Sequence, residues 1–490
     1  MSSEQQYIDI YNEQRDVIFE HSSEMMNAVR DEAFERFKAN GFPTQKVERY
    51  KYTDLQRLFA PDYGLNLRRL NIPVDPYQAF RCDVPNLSTS LFFIVNDQFF
   101  GRGEVKEVRG ERIPQPQLPD GVIIGSLKEL SSHPSPFPSH LYNTLAGKDG
   151  DAVTDLNTML AQDGMLVYVP RGIKAERAIQ VINILKSPFS GNYTPPSQGG
   201  AGGGSAAHIS LSQGGAGGGS AAAPFMVNRR VLIVAEEDAE VTLLFCDHAA
   251  DDSPFLTTQV IEVFAKDNAK VNLYCLEETH YKNVRVSNVY IDQQRSSRVT
   301  HNVITLHNGI TRNKLDLTLN GEGAECECLG CVIADKQQHV DNNTLITHHA
   351  THCTSNELYK YVLNDQSTGA FAGKVLVEHG AQKTASQMTN QNLCSSKEAR
   401  MYTQPMLEIY ADDVKCAHGS TVGQLNDQAL FYMQQRGIPR DEARTLLEVA
   451  FINQVINGIS LVPLRDRLHY LVEKRFRGEL SKCKGCQLCR

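Results

Sequence analysis

The stretch DDVKCAHGSTVGQL, residues 412–425, places two acids, a lysine, a cysteine and a histidine within its first seven positions. Cysteine, histidine and aspartate ligate metals, and a cysteine near a histidine can also act as a nucleophile. On a β-strand Cys416 and His418 would share one face, about 7 Å apart along the backbone. These two side chains therefore predict a metal or partner site. The alternative is a packed thiol with a histidine at the strand end.

Three further cysteines have the spacing C-x2-C-x2-C in the segment KCKGCQLCR, at Cys483, Cys486 and Cys489. That spacing suits thiolate ligation of a cluster or of zinc, and Lys482 and Lys484 would lower the thiol pKa values. Three thiolates leave a fourth ligand to come from elsewhere in the chain or from a partner. The segment is therefore either a metal or cluster contact, or a free redox-sensitive tail.

Two internal segments, CECLGC at 326–331 and HHATHC at 348–353, also contain metal-ligating residue types. The spacing of HHATHC matches no closed tetrahedral zinc motif. On strands, His348 and His349 would face opposite ways, whereas Cys326 and Cys328 would share an inward face. We expect both segments to pack within the surrounding repeats.

The elements that must position these residues repeat with a period of 27 to 30. EEDAEVTLLF, KDNAKVNLYC, RSSRVTHNVI and GEGAECECLG each contain a polar turn, a small residue and a β-rich run. The small residues are Ala239, Ala269, Ser297 and Ala324, and Ala350 follows 26 positions later. Such a period with short strands predicts a solenoid, each repeat forming one coil of a parallel β-helix. A β-sandwich with evenly spaced strands is the alternative.

Helical patterns flank the repeats. We assign an N-terminal helical region to 1–60, a mixed α/β region to 61–160, the parallel β-helix to 161–424, a helical domain to 425–480 and a cysteine-rich tail to 481–490. Asn426 and Pro439 are predicted to begin helices and Gly437 to end one. The exact repeat of SQGGAGGGSAA at 197–207 and 212–222 marks residues 194–224 as a flexible insertion within the β-helix.

Bulk properties exclude several classes of function. A net charge of −8 argues against nucleic-acid binding. The sequence contains no run of about 18 apolar residues, so we expect no transmembrane helix. The polar, acidic start does not resemble a secretion signal, so we expect a cytoplasmic chain whose twelve cysteines are thiols. No G-x-x-x-x-G-K-[ST] loop occurs, so we expect no ATP site in this chain.

Several segments together resemble the SufB/SufD family. They are ERYKYTDL at 48–55, DGMLVYVPRG at 163–172, FMVNRRVLIVAEE at 225–237 and the run from ASQMTNQNL to DDVKCAHGSTVGQL at 385–425, continued by NDQALFYMQQRGIPRDEARTLLEVAFINQVI. The resemblance covers most of the chain apart from the insertion. The K-C-x-H-G form with R-G-I-P-x-x-E-A-R is closer to the SufD branch than to the SufB branch.

The resemblance implies a mainly β fold, a right-handed parallel β-helix between helical N- and C-terminal domains. It implies a non-catalytic scaffold subunit that assembles iron–sulfur clusters, with a transient cluster shared at the interface with a SufB-like partner. His418 and its neighbour Cys416 would lie at that interface. The C-terminal helices would dock a SufC-like ABC ATPase through apolar side chains, for which we select Leu430, Tyr432, Leu447, Phe451 and Leu464.

Other interpretations stay open. The chain could be the SufB-like main cluster scaffold, which would reconstitute a stable cluster by itself, or it could form a homodimer when isolated. A β-helix carbohydrate-active enzyme is a candidate from another class, although such enzymes are usually secreted. A free-standing electron carrier would depend on Cys483, Cys486 and Cys489.

Overall fold

The computed structural model describes residues 3–72, 74, 76, 89–100, 118–131, 138–187 and 224–479. Residues 194–223 of the Gly/Ser/Ala insertion and the tail cysteines Cys483, Cys486 and Cys489 lie outside these ranges. None of the described helices is long and apolar enough to cross a membrane.

The first part of the chain is helical. Its α-helices are α1 Ser3–Glu20, α2 Glu24–Asn27, α3 Arg30–Asn40, α4 Leu55–Phe59, α5 Leu127–Ser131, α6 Ala146–Asp149 and α7 Ala152–Leu160, with 3₁₀ turns at Glu48–Tyr50 and Ser139–Leu141. Helix α3 ends at Asn40, because Gly41 follows with a positive φ of 59° that glycine adopts without steric cost.

Strands β6–β19 form the parallel β-solenoid that the repeats predict. They are β6 Phe225–Ala235, β7 Glu240–Ala249, β8 Phe255–Ala265, β9 Lys270–Glu278, β10 Val284–Gln293, β11 Arg298–His307, β12 Ile310–Leu319, β13 Glu325–Ala334, β14 His339–His348, β15 Thr354–Leu363, β16 Thr368–Val377, β17 Ala385–Cys394, β18 Arg400–Ile409 and β19 Lys415–Gly423. Successive strands alternate between two sheets, so that each pair of strands makes one coil and about seven coils span residues 225–423. The mainly β fold class is thereby confirmed.

Shorter strands close the first end of the solenoid: β1 Thr89–Val95, β2 Gln98–Phe100, β3 Ile123–Ser126, β4 Met165–Val169 and β5 Ala178–Leu185. The antiparallel β2 and β3 are the outermost strands of the two sheets at this end. At the other end the outermost strands are β18 and β19. The two ends therefore differ, because no short antiparallel strand covers β18 or β19 within the described residues.

One corner of every coil has the same backbone conformation. The residue two positions before each odd-numbered strand from β7 to β17 has a positive φ; these residues are Asp238, Asn268, Ser296, Gly323, His352 and Lys383. The next residue is small or short and buried, as at Ala239, Ala269 and Ser297. The equivalent position before β15 is Cys353, not Ala350, so our assignment of Ala350 to the repeat was wrong. The error arose because a cysteine, 29 positions after Ala324, occupies the small buried position, while an alanine stands three residues earlier.

Helices cover both outer faces of the solenoid. An apolar cluster joins helices of the N-terminal region to the nine-stranded sheet, for example Leu156 to Leu256 and Val286. A second cluster joins the C-terminal helices to the ten-stranded sheet, as between Ile452 and Leu329. A third fills the interior between the sheets. Burial of apolar surface at all three places holds the coils in register.

Buried ion pairs also connect the N-terminal region to the solenoid. Lys314 on β12 forms ion pairs with Asp149 and, at 3.1 Å, with Asp151. Within the solenoid itself, the Arg230 guanidinium on β6 lies 2.7 Å from the Glu262 carboxylate on the adjacent strand β8, and both side chains are fully buried. Each charge depends on its partner, since an unpaired buried charge is strongly destabilising.

The chain then continues into helices α8 Asp427–Gln435, α9 Arg440–Asn457 and α10 Val462–Phe476. The predicted start of α8 is confirmed, because the Asn426 side chain accepts hydrogen bonds from the backbone N–H groups of Gln428 and Ala429. Pro439 precedes α9 as predicted.

Candidate functional site

Cys416 and His418 lie on β19, the terminal strand of the ten-stranded sheet. In the parallel ladder Cys416 is level with Ser386 and His418 is level with Met388 on β17. Met388 is fully buried in the interior cluster, and Cys416 packs against the same cluster. Both side chains are therefore on the inward face of the last coil, as the two-residue spacing predicts.

The last coil is open to solvent. His418 is exposed and Cys416 is half-buried, whereas Met388, one coil earlier, is 0 % exposed. A Cβ atom added to Gly419 or to Gly423 would have no heavy atom within 4 Å. An inward-facing histidine thus becomes a surface residue, because no further coil lies over β19 in the described chain.

The local electrostatics keep the Cys416 thiol protonated. Burial raises the pKa of Cys416 above the ordinary thiol value, and a backbone hydrogen bond at Ser386 offsets part of that effect. At neutral pH the group is therefore a neutral thiol, and it becomes a ligand or a nucleophile only when a metal or a cationic group approaches.

Sequence reasoning found Cys328 but missed Glu357 and His301, two further titratable residues in the same register as His418. Behind His418 and Met388 the ladder continues through Glu357, Cys328 and His301. Burial raises the pKa of Glu357 to about 8 and lowers the pKa of His301 to about 4. Neither ring nitrogen of His301 has a hydrogen-bond partner among the described residues. Because the repeats align these positions, stepping back from His418 by one repeat length at a time would have found them.

Apolar side chains surround the open end. Exposed fractions are 41 % at Tyr402 and 39 % at Ile409 on β18, and 52 % at Val422 on β19. Tyr410, just after β18, is 49 % exposed. The outer edges of β18 and β19 have no neighbouring strand in the described chain. An exposed apolar sheet edge of this kind is a surface to which another chain can add.

The five apolar residues selected on the C-terminal helices fall into two groups. Leu464 is 0 % exposed and Leu430 is 7 % exposed, and Leu464 packs in the cluster against the ten-stranded sheet. Phe451 and Leu447 are partly buried. Tyr432, in contrast, is 59 % exposed, and its neighbour Phe431 is 62 % exposed. The surface that a partner can touch on α8 therefore centres on Phe431 and Tyr432.

The two internal segments with metal-ligating residue types are part of the repeats. His348 is buried with its Nε2 2.9 Å from the Ser355 hydroxyl, whereas His349 is exposed with its Nδ1 2.5 Å from the Glu378 carboxylate. Cys326 and Cys328 both lie in the interior cluster. Across the described residues no three His, Cys, Asp or Glu side chains are close enough to hold a metal ion.

Two family models match most of the chain. The model for the SufBD core domain of the SUF system for FeS cluster assembly matches residues 218–451, which include the solenoid coils, β19 and most of α9. The model for the SufBD protein N-terminal region matches residues 1–181.

Individual relatives agree with these models. An iron–sulfur cluster assembly SufBD family protein of Synechocystis is 28 % identical over 450 residues, 88 % of this chain and 87 % of the relative. Protein ABCI7, chloroplastic, of Arabidopsis thaliana is 25 % identical over 91 % of this chain and 85 % of its own length. The iron–sulfur cluster assembly protein SufD of Escherichia coli is 34 % identical over 173 residues, 35 % of this chain and 41 % of the relative. The chain, with its solenoid between two helical layers, belongs to the SufBD family of iron–sulfur cluster assembly proteins, and relatives named SufD are among its homologues.

Proposed function

We propose that this chain is the SufD-like, non-catalytic scaffold subunit of a SufB–SufC–SufD complex that assembles iron–sulfur clusters. The observation that carries the proposal is the position of His418, which faces inward on the last coil and is nevertheless exposed. A binding site that includes His418 needs further ligands, and a second chain that covers the open end would supply them.

The SufB-like partner pairs with β18 and β19. Their unpaired edges offer main-chain hydrogen bonds for strand addition, and the exposed Tyr402, Ile409 and Val422 offer apolar surface. This pairing would enclose His418 and Cys416 between two solenoids.

The nascent cluster is the cargo of this interface. An imidazole from His418 and a thiolate from the partner are ligands that suit iron, and neither chain alone completes the coordination. Cys416 supplies a second thiol, which ionises when iron approaches. The cluster is held transiently, because it must be transferred to other proteins.

A SufC-like ATPase docks on the C-terminal helices of this chain through Phe431 and Tyr432 of α8. These neighbouring aromatic side chains are the most exposed large apolar residues of the C-terminal helices, and aromatic residues of this kind are typical anchors at interfaces. ATP hydrolysis takes place in that partner.

The deciding experiment is His418→Ala in a complex co-expressed with SufB and SufC homologues, scored by iron and sulfide content and by the activity of cluster-dependent enzymes. We expect the complex to assemble with at least about tenfold less cluster, because one ligand is lost. The matched control is His140→Ala, since His140 is also exposed but lies in the N-terminal region. Cluster content at the control level would refute a ligand role for His418.

The same preparation separates the proposal from the SufB-like alternative. Cys416 and His418 together give this chain two potential iron ligands on one face. If the isolated chain reconstitutes a stable cluster without a partner, it is the main scaffold. If a cluster forms only in the complex, it is the SufD-like subunit.

A further inference from the structure

One corner of the solenoid carries a groove with a volume of about 730 Å³, within the range of ligand-binding clefts. It lies along the loops that lead from the odd-numbered to the even-numbered strands. The protruding loop with Tyr281 bounds one end and the loop with Glu398 bounds the other, while Gly309, Gln338 and Gln366 contribute to the floor between them. The groove therefore extends along the solenoid axis across several coils.

The polar groups of the groove floor are already satisfied. The Gln338 side chain donates to the carbonyl oxygen of Asn308, and its Oε1 accepts from the Asp335 N–H at 2.8 Å and from Arg475 at 3.2 Å. A small polar ligand would find few free partners on such a floor. The groups left free are on the rim, where a length of polypeptide chain could reach them.

The last turn of the C-terminal helix is joined to one residue of this groove, Gln338, through the Arg475 side chain. Arg475, in the last turn of α10, donates to the carbonyl oxygen of Leu306 at 2.6 Å and to the Asp335 carboxylate at 2.7 Å, in addition to Gln338. The chain then turns at Gly478, which has a φ of 73°, and the Glu479 N–H returns to the Lys474 carbonyl oxygen. Glu479, the last described residue, is therefore four positions beyond the Arg475 side chain that contacts Gln338 of the groove.

The charges along the groove differ at its two ends. Lys336 lies with Tyr281 towards the first coils, with its Nζ 5.7 Å from the Tyr281 ring centre. Asp365 and Glu398 lie towards β18 and β19, and both are exposed. One Asp365 carboxylate oxygen accepts a hydrogen bond from the Lys336 N–H at 2.9 Å, but neither carboxylate forms an ion pair with a described cation. Lys397, next to Glu398, is not among the residues that line the groove. A basic segment is therefore favoured in the half nearer the open end.

Residues 480–490 have the charge and length for that half. They contain Lys482, Lys484 and Arg490 and no acidic residue. The loop with Gln338 and the loop with Glu398 are two coils apart, a distance of about 10 Å along the solenoid axis at the usual strand spacing. Lys482 and Lys484, three and five residues beyond Glu479, reach about 10 and 17 Å in extended chain.

We propose that residues 480–490 dock in this groove of their own chain, with Lys482 and Lys484 beside Asp365 and Glu398. The C-x2-C-x2-C segment is then held on the solenoid corner and runs towards the coil that carries His418. The inference does not depend on the proposed function, because the isolated full-length chain is sufficient for docking.

The test places a photo-activated benzophenone side chain at Gln337, an exposed residue of the groove, and maps the cross-linked peptides by mass spectrometry. We expect cross-links to residues 480–490 within one molecule, which a mixture of isotope-labelled and unlabelled chains distinguishes from cross-links between molecules. The same probe at Gln387, an exposed glutamine on β17, is the control. The proposal would be overturned if the yield of cross-links to residues 480–490 were no higher from position 337 than from position 387. It would also be overturned if cross-links formed only between molecules.

Charge reversal tests the stated contacts. The double variant Lys482→Glu, Lys484→Glu should lower the cross-link yield about fivefold, as expected when two exposed ion pairs are lost. Adding Asp365→Lys and Glu398→Lys to the same chain should restore it. Unchanged yield in the first variant, or no recovery in the second, would contradict this docking position.

Discussion

Glu357 is a single buried carboxyl group that links the stability of the solenoid to pH. It is 1 % exposed, accepts one hydrogen bond from the Thr344 hydroxyl at 3.0 Å, and has a pKa raised by burial to about 8. Between its ordinary value of 4.5 and about 8, the folded chain keeps a proton that the unfolded chain releases. The free energy of unfolding therefore falls as pH rises through this window, by up to about 1.4 kcal/mol per pH unit.

We predict that Glu357→Gln removes this contribution, because the amide stays neutral and its oxygen can still accept from Thr344. Relative to wild type, the variant should gain up to about 3 kcal/mol in the free energy of unfolding between pH 6 and pH 8, measured with urea. Glu325→Gln, at an exposed position on the neighbouring β13, should show no such gain. Parallel pH profiles for wild type and Glu357→Gln would show that Glu357 is ionised in the folded state.

Single residues also show what the sequence could and could not predict. The shared face of Cys416 and His418 follows from strand alternation alone. Their exposure does not, because the inward face of a coil is buried or open according to whether another coil follows. Likewise, apolar periodicity selects Leu464 and Tyr432 equally, but only the packed structure shows that Leu464 is covered by the ten-stranded sheet.

At the scale of elements, β19 acts as an uncovered sheet edge whose apolar residues should decide partner binding. We predict that Val422→Lys weakens pairing with a SufB homologue at least about tenfold, because the new charge would be buried without a partner. The isolated chain should keep its thermal midpoint, since Val422 is 52 % exposed. Size-exclusion chromatography of co-expressed chains gives the measurement. Val47→Lys, at a similarly exposed valine of the N-terminal region, should pair normally, and equal loss with both variants would exclude a specific role for β19.

Helix α8 and helix α10 should respond differently to truncation. The double variant Phe431→Ala, Tyr432→Ala should lower the affinity for a SufC homologue in a titration while leaving the unfolding midpoint near that of wild type. Leu464→Ala should instead cost about 2 to 5 kcal/mol of stability, because it leaves a cavity in the packed cluster. If the double variant bound the SufC homologue with the same affinity as wild type, the docking surface would lie elsewhere.

Across the whole molecule, stability should vary along the solenoid axis. The central coils are packed between coils on both sides and between two helical layers, whereas β18 and β19 have coils on one side only. Hydrogen exchange of the isolated chain should therefore be slowest in β10–β13 and fastest in β19, since each coil depends on its neighbours. Addition of the SufB partner should slow exchange in β19 selectively. Uniform exchange along the solenoid would contradict this order.

The solenoid fold as a whole was easier to predict from the sequence than single turn positions or the partners of ion pairs, and the reason is physical. A solenoid repeats one local structure, so that several imperfect copies of a turn and a small residue support each other even where one is misassigned, as at Ala350. The C-terminal helices follow from periodicity and from residues such as Asn426 and Gly437. The ion pair between Lys314 and Asp151 joins residues 163 positions apart, and no local pattern predicts such a partner.

The repeated corner conformation has a consequence for the geometry of an assembly. Helix α9 packs on β13 and β15, and β19 lies two strands beyond β15, about 10 Å further along the axis. The strands β7 to β17 of the ten-stranded sheet each follow an equivalent positive-φ corner. Inserting or deleting one whole coil between β15 and β19 would therefore change this separation in steps of about 4.8 Å and leave the residues of both surfaces unchanged. The number of coils therefore sets the distance between helix α9 and His418 at the open end.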